Sequence, residues 1–223
     1  MTENAVPKSH QVDNTTRLDR YPRLFRGVRE HFLRSGTLTG LKLLSFGCSS
    51  GEEVETLNRF YFPEAQILGV DVNAGVLQQA RTRCVDPDFT QFELFSEATM
   101  VQKGPFDAIF AMSVFCLWPQ TQGVKNIAHL YAFEKFAQGM LLLHNAVKPG
   151  GLIVIFNANY RFADLPFAEE YSAIQIPNVN ISFVEQFTPA GDAIGGVNPP
   201  ECAFQKMTSD VSAACRPERS AGV

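Results

Sequence analysis

The feature that most constrains this chain is a glycine turn directly after a short apolar run. The run 41–46 leads into the segment 47–53, which reads Gly-Cys-Ser-Ser-Gly-Glu-Glu. This pattern is typical of a parallel strand that ends in a tight turn and opens into a helix. A second apolar run, 67–70, ends on Asp71, 20 residues after Gly51. These pieces predict a βαβ unit that binds a nucleotide, with the Asp71 carboxylate accepting hydrogen bonds from two ribose hydroxyls.

The spacing of the glycines narrows the ligand. A dinucleotide site has the pattern G-x-G-x-x-G, whose middle glycine makes room for a pyrophosphate. Ser49 stands at that middle position, and the acidic pair Glu52 and Glu53 follows at once. Two carboxylates in the first helical turn suit the helix dipole but repel a pyrophosphate. No Gly-Lys-Ser or Gly-Lys-Thr phosphate loop occurs in the chain, so we expect a nucleoside without phosphates, preferably a cationic one.

The segment 44–53 resembles the cofactor motif of class I S-adenosylmethionine-dependent methyltransferases. The order of its residues is most similar to that in the chemotaxis receptor methyltransferases. Three further segments resemble that family's motifs in the family's order: 69–73 the ribose-binding strand end, 105–111 the fourth strand, and 147–152 the turn before the fifth. The resemblance covers about residues 40–157. It implies S-adenosylmethionine as cofactor and S-adenosylhomocysteine as product.

The resemblance also implies which residues hold the cofactor. The backbone of the glycine loop would pack on the methionine part, Asp71 would take the ribose, and either Ser96 or Glu97 would meet the adenine amino group. For Asp71 the alternative is an N-cap of the helix that begins at Ala74. The expected cofactor contacts are Gly47, Cys48, Ser49, Gly51, Asp71, Val72, Asn73, Ser96, Glu97, Met112 and Ser113.

The methyl acceptor is expected at the segments that follow the fourth and fifth strands. Tyr160 and Arg161 could bind an anionic or planar acceptor, or belong to a solvated loop. A general base is needed only if the acceptor must lose a proton. His144 could be such a base or an ordinary residue of the long helix. The catalytic residue stays open, with Tyr160, Arg161 and His144 as candidates. The expected substrate contacts are Phe115, Trp118, Asn157, Tyr160 and Arg161.

The segment Tyr21-Pro22-Arg23 offers two interpretations. It could fold over the cofactor, with Arg23 meeting the cofactor carboxylate, or it could form the basic face of an amphipathic helix.

The expected fold class is α/β: a doubly wound three-layer sandwich around a mostly parallel seven-stranded sheet with an antiparallel last strand, the Rossmann-like methyltransferase fold. We expect one domain over 17–207, flanked by a flexible segment 1–16 and a flexible tail 208–223. The expected helices are 17–33, 51–60, 74–84 and 126–146, and the expected strands are 41–46, 66–71, 90–95, 106–112, 152–156, 180–187 and 203–207.

Composition limits the partners. The formal net charge of −4 over 223 residues argues against a nucleic-acid partner held through its phosphates. The sequence contains no run of 18 apolar residues, so no membrane span is predicted. The N-terminus lacks the pattern of a signal peptide, and the five cysteines share no metal-ligand spacing. We therefore expect reduced thiols, no metal and a cytoplasmic location.

The function that follows is methyl transfer to a small-molecule acceptor by in-line displacement. The main alternative is a protein that binds S-adenosylmethionine without catalysis, or a partner subunit. A protein carboxyl methyltransferase is a minor alternative, because the fourth strand continues as Ala111-Met112-Ser113 where the chemotaxis enzymes have Cys-Arg-Asn. A nicotinamide-dependent reductase is disfavoured by Ser49.

Overall fold

The computed structural model describes residues 16–36, 38–84, 86–179, 182–195 and 201–208. The expectations for residues 1–15 and 209–223, and for part of the 188–200 loop, lie outside these ranges. Within the described ranges no helix is long and apolar enough to cross a membrane.

A seven-stranded sheet forms the middle layer, with the order β3-β2-β1-β4-β5-β7-β6. The first five strands are parallel, β7 runs antiparallel to β5, and β6 runs antiparallel to β7. This confirms the expected fold class. The strands are β1 Lys42–Phe46, β2 Gln66–Asp71, β3 Thr90–Leu94, β4 Phe106–Met112, β5 Val147–Phe156, β6 Tyr171–Ala173 and β7 Ala203–Lys206.

Helices cover both faces of the sheet. They are α1 Pro22–Arg34, α2 Glu52–Thr56 with a π-helical turn Leu57–Tyr61, α3 Ala74–Arg83, α4 Glu97–Lys103 and α5 Phe133–Ala146. One core cluster packs α1, α2 and α3 against one face, and a second packs α4 and α5 against the other. Because both faces are covered, β4 and the second half of β5 are buried along almost their whole length.

Two predicted helices begin later than their apolar spacing suggested. The helix predicted over 17–33 begins at Pro22, since proline suits the first turn of a helix and Tyr21 takes the N-cap position. The helix predicted over 126–146 begins at Phe133. Asn126 instead accepts a hydrogen bond from the Ala128 amide and donates to Asp192, so the chain turns there and joins the 188–192 loop.

The structure also differs from the predicted strands and helices at two further segments, 171–187 and 97–103. The strand predicted over 180–187 is absent from the described part, residues 182–187, where Phe187 makes only isolated bridges with Tyr160 and Ala193. The short strand Tyr171–Ala173 takes the edge of the sheet instead. The apolar residues Val184 and Phe187 of this segment are buried without belonging to a strand. Helix α4 was not predicted, although Ser96 caps it by accepting the Thr99 amide hydrogen.

Candidate functional site

The glycine loop wraps around the carboxyl end of β2. Gly47 and Gly51 have φ angles of 75° and 91°, a region that favours glycine. The amides of Gly47 and Cys48 both donate to the carbonyl of Val70, at 2.8 and 3.0 Å. The loop is therefore held to the strand end that carries Asp71, and the predicted βαβ unit is present.

Asp71 links the loop to β2. One carboxylate oxygen accepts the Ser49 amide hydrogen at 3.0 Å, and the other accepts the Asn73 amide hydrogen at 2.9 Å. The side chain does not cap α3, because that position is taken by Asn73, which accepts from the Gly75 and Val76 amides. A carboxylate offers about four acceptor sites, so Asp71 retains capacity for two ribose hydroxyls.

Side chains of neighbouring segments pack tightly on the loop. A Cβ atom at Gly47 would lie 2.6 Å from Val114, which follows β4. The thiol of Cys48 points down towards Gly69, whose Cβ would lie 2.9 Å from the sulfur. Burial raises the pKa of the Cys48 thiol, and the carboxylates of Asp71 and Glu53 raise it further. Cys48 is thus an inert core thiol that presents its backbone to the site.

A small cavity of about 30 Å³ lies above this loop. Its floor is formed by Gly47, Cys48 and Ser49, and the segment 16–21 covers it. Met112 and Ser113, at the carboxyl end of β4, also line it. Arg23 does not, because its guanidinium donates to the carbonyl of Asn178, so the expectation that it meets the cofactor carboxylate is not supported. Arg17 and Arg20 line the cavity instead.

Glu53 also lines this cavity, although sequence analysis did not place it in the site. Its carboxyl accepts a hydrogen bond from Ser45 at 2.7 Å, and burial raises the pKa of Glu53 to about 8, against the opposing effect of Arg20. Glu52, one position earlier, points the other way and pairs with Arg83 at 2.9 Å. Successive helical residues differ by about 100° in direction, which is the signal that could have separated the two carboxylates.

The four residues expected near the adenine are all exposed and follow the ends of β2 and β3. Val72 is 46% exposed and Glu97 is also exposed. Asn73 and Ser96 are the N-caps of α3 and α4, so their side-chain oxygens already accept backbone hydrogen bonds. Of the two candidates for the adenine amino group, Ser96 uses its hydroxyl to cap α4, whereas the carboxylate of Glu97 makes no capping hydrogen bond.

A polar cluster joins the ends of β4 and β5. The hydroxyls of Tyr21 and Ser113 are 2.7 Å apart. Asn157 donates to Ser113 at 2.9 Å and to Tyr21 at 3.3 Å, and it accepts from Ser182 at 2.9 Å. Ser113 and Asn157 both have positive φ angles, 59° and 55°. Strained residues of this kind cluster at functional sites, so the site extends from the glycine loop to the end of β5.

The expected substrate residues separate into two groups. Asn157, Tyr160 and Arg161 line a second cavity at the end of β5. Tyr160 reaches it with its ring, because its hydroxyl donates to the carbonyl of Tyr131. Phe115 lies in the core, stacked on Phe46, and does not reach either cavity.

The remaining two candidates lie outside both cavities. Trp118 is 37% exposed and packs against Phe183 on the surface. His144 packs on Phe167 and contacts the Tyr171 hydroxyl at 3.0 Å. It lies just before the start of β5, at the end of the strand opposite to Asn157. Burial lowers the pKa of His144. Its position removes it from the candidate bases. In the described ranges, no cluster of His, Cys, Asp or Glu could hold a metal ion.

The strand order, the glycine loop and the Asp71 carboxylate define a class of protein: the class I S-adenosylmethionine-dependent methyltransferases. Residues 43–135 match the family described as methyltransferase domain. S-adenosylmethionine is the cofactor of the class.

Among curated proteins, the chain is similar to two trans-aconitate 2-methyltransferases. That of Afipia carboxidovorans is 30% identical over 115 residues, which are 52% of this chain and 40% of the relative. That of Rhodopseudomonas palustris is 31% identical over 114 residues, 51% of this chain and 37% of the relative. The chain therefore spans less than half the length of these relatives.

Among solved structures, the plantazolicin methyltransferase BpumL in complex with SAH is 15% identical to this chain. The match covers 60% of this chain and 45% of that protein, with a TM-score of 0.45.

Proposed function

We propose that this protein is a methyltransferase that moves the methyl group of S-adenosylmethionine to a small-molecule acceptor. The observation that carries the proposal is the Asp71 carboxylate, which joins the glycine loop to β2 and keeps acceptor capacity for a ribose. It faces the same sheet edge as Ser113 and Asn157, the strand-end residues of β4 and β5. Ligands of open α/β sheets bind at this edge, where the strand order reverses.

The charges of the small cavity suit the amino-acid end of the cofactor. Arg17 and Arg20 supply cations for its carboxylate, and Glu53 supplies a carboxylate for its ammonium group. Asp71 would hold the ribose, with Val72 and Glu97 beside the adenine. A dinucleotide does not fit this pattern, because Ser49 directs its amide to Asp71 where a pyrophosphate would need a free donor.

Bound S-adenosylmethionine supplies a methyl group already activated on a sulfonium. The chain has then to orient the acceptor and exclude water, and positioning alone contributes much of the acceleration. Ser113 and Asn157 stand at the carboxyl ends of the two central strands and are the residues suited to orient the acceptor. No histidine lines either cavity among the described residues, which supports a mechanism without a dedicated histidine base.

Other acceptors and roles make different predictions. The names of the curated relatives suggest a polycarboxylate acceptor for this chain, as a second candidate. A protein carboxyl acceptor is a minor one. A protein that binds the cofactor without catalysis would bind S-adenosylhomocysteine equally well but methylate nothing. We also propose a cytoplasmic protein without a nucleic-acid partner, which the free thiols of Cys48, Cys84, Cys116 and Cys202 support.

Calorimetric titration with S-adenosylhomocysteine tests the cofactor half. We expect a dissociation constant of about 10 µM or tighter, no heat with NAD, and at least a hundredfold weaker binding in Asp71→Ala. Glu93→Gln is the matched control, since Glu93 is a carboxylate of β3 that pairs with Lys103 of α4. Binding of NAD, or equal affinity in Asp71→Ala, would contradict the proposal.

A further inference from the structure

The second cavity lies at the carboxyl end of β5, next to the start of β7. Its volume is about 340 Å³, on the order of the space found in small-ligand sites. Phe156 and Asn157 form one side, the segment 158–163 another, and Phe204 the base.

One hydrogen-bonded pair separates this cavity from the small cavity above the glycine loop, which we call the cofactor cavity because we propose that it receives the amino-acid end of the cofactor. Ser113 lines the cofactor cavity, Asn157 lines the second one, and the Asn157 amide donates to the Ser113 hydroxyl at 2.9 Å. Direct displacement needs the reacting atoms about 3–3.5 Å apart. An acceptor in the second cavity would therefore have to bring its reacting atom to the Ser113–Asn157 pair, where the two cavities adjoin.

The boundary between the two cavities is polar, with Asn157 on the side of the second cavity and Tyr21 and Ser113 on the side of the small cavity. Asn157 uses both of its amide hydrogens on Ser113 and Tyr21. One hydroxyl hydrogen lies between Tyr21 and Ser113. The other hydroxyl hydrogen of this pair has no acceptor among the described residues. A hydroxyl that accepts two hydrogen bonds and still carries a hydrogen is suited to bind an oxygen or nitrogen atom of a ligand.

The body of the cavity is aromatic. Phe162 and Phe204 stack in parallel, with ring centroids 3.9 Å apart and planes at 8°. Phe156 and the ring of Tyr160 also line it, and the Tyr160 hydroxyl is turned away to the Tyr131 carbonyl. Flat rings of this kind favour a ligand that presents apolar, planar surface.

The charges around the cavity do not suit a polyanion. Arg161 is held by Asp164 through two hydrogen bonds, at 2.9 and 2.7 Å. The other charged group that lines the cavity is the carboxylate of Glu201. The described residues that line the cavity thus offer no cation that a carboxylate does not already balance, and an unpaired charge is costly to bury.

We propose that this cavity binds the methyl acceptor, and that the acceptor is an uncharged aromatic compound with one hydroxyl or ring nitrogen placed at Ser113 and Asn157. This rests on the proposed function, since it assigns the acceptor of the same site. The aromatic body lies against Phe162 and Phe204. The same charge balance argues against a tricarboxylate, the second candidate that the names of the curated relatives suggest.

Ligand-detected NMR on the full chain saturated with S-adenosylhomocysteine tests this proposal. The probes are 2-naphthol, indole and 4-hydroxyquinoline on one side, and trans-aconitate and citrate on the other. We expect saturation transfer to at least one aromatic probe and no transfer to the tricarboxylates. When S-adenosylmethionine replaces the product, we expect methylation of the bound probe that carries a hydroxyl, with S-adenosylhomocysteine as the leaving group and the hydroxyl proton released to solvent.

A variant that fills the cavity identifies the site. Ala163 lines the cavity and is exposed, so Ala163→Trp should reduce the aromatic signal at least fivefold. Ala190→Trp is the matched control on an exposed loop outside the cavity and should leave the signal unchanged. S-adenosylhomocysteine affinity is measured on both variants and reports that they are folded.

The outcomes separate the two proposals. If S-adenosylhomocysteine does not bind, the proposed function fails first. If it binds but no aromatic probe does, if a tricarboxylate binds or is methylated, or if Ala163→Trp leaves the aromatic signal intact, the acceptor assignment is overturned while the cofactor assignment stands.

Discussion

Glu53 places a titratable carboxyl inside the cofactor cavity, beside Arg20 and hydrogen-bonded to Ser45. Burial raises its pKa to about 8, so at neutral pH the group is largely protonated. Pairing with the ammonium group of the cofactor requires the ionised form. Cofactor binding should therefore release a proton from this residue below about pH 8.

We expect the affinity of the wild-type protein for S-adenosylhomocysteine to rise between about pH 6 and about pH 8, by up to about tenfold per unit. Glu53→Gln should bind about tenfold more weakly at the upper pH, because a charge-assisted hydrogen bond is lost, and its affinity should hardly change with pH. Calorimetry in buffers of different ionisation heat measures both quantities. A pH-independent wild-type affinity would show that Glu53 does not contact the ligand.

The same residue affects stability in the opposite direction. Because its pKa is raised in the folded state, the stabilisation from the neutral form is present below the ordinary pKa of 4.5 and is lost as the pH rises through about 8. Glu53→Gln removes the buried charge. Without ligand, this variant should therefore gain thermal stability over wild type at about pH 8, and a differential scanning measurement checks it.

At the scale of elements, the segment 16–21 closes the cofactor cavity before α1 begins at Pro22. Tyr21 ties it to the end of β4 through Ser113, and Asp19 ties it to α2 by accepting from Tyr61 and donating to Thr56. The remaining cavity of about 30 Å³ has room for about two water molecules. The methionine part of the cofactor cannot enter unless this segment moves.

We expect S-adenosylhomocysteine to slow tryptic cleavage after Arg17 and Arg20 at least fivefold, since the segment would close again over the bound ligand. Lys125 provides the control, because it lies on an exposed loop that lines neither cavity. Mass spectrometry of the early fragments gives the rate at each site. Faster cleavage after Arg20 in the presence of ligand would mean that the segment is displaced and stays open.

At the scale of the molecule, the two core clusters pack on opposite faces of the same sheet. A ligand that bridges the ends of β1, β2 and β4 should therefore stabilise both clusters together. At a concentration 100 times its dissociation constant, S-adenosylhomocysteine contributes about 2.7 kcal/mol, which corresponds to a rise in Tm of about 5–10 °C for a domain of this size.

Circular dichroism and the fluorescence of Trp118, the single tryptophan, should report the same increase, and NAD should cause none. Two separate transitions, of which only one responds to the ligand, would contradict the idea that the clusters unfold as a unit.

The local patterns of the sequence predicted the features that depend on neighbouring residues. The glycine loop, Asp71 at the end of β2 and the five parallel strands follow from apolar runs and turns a few residues long, and the structure has them all. Where a distant segment competes, the prediction was wrong. Asn126 donates to Asp192, so α5 begins at Phe133, and the sheet gains the strand Tyr171–Ala173 where a strand had been predicted over 180–187.

The candidate site divides in the same way. The cofactor loop is contiguous in sequence, and its residues were identified from it. The polar cluster joins Tyr21 to Asn157 across 136 residues, and Glu53 differs from Glu52 only in the direction that its helix position gives it. Folding alone brings such groups together, because packing of α1 and the strand ends over the sheet sets which side chains meet. Sequence patterns therefore predicted the glycine loop and the position of Asp71 at the end of β2, while the second cavity and its charge balance depend on tertiary packing.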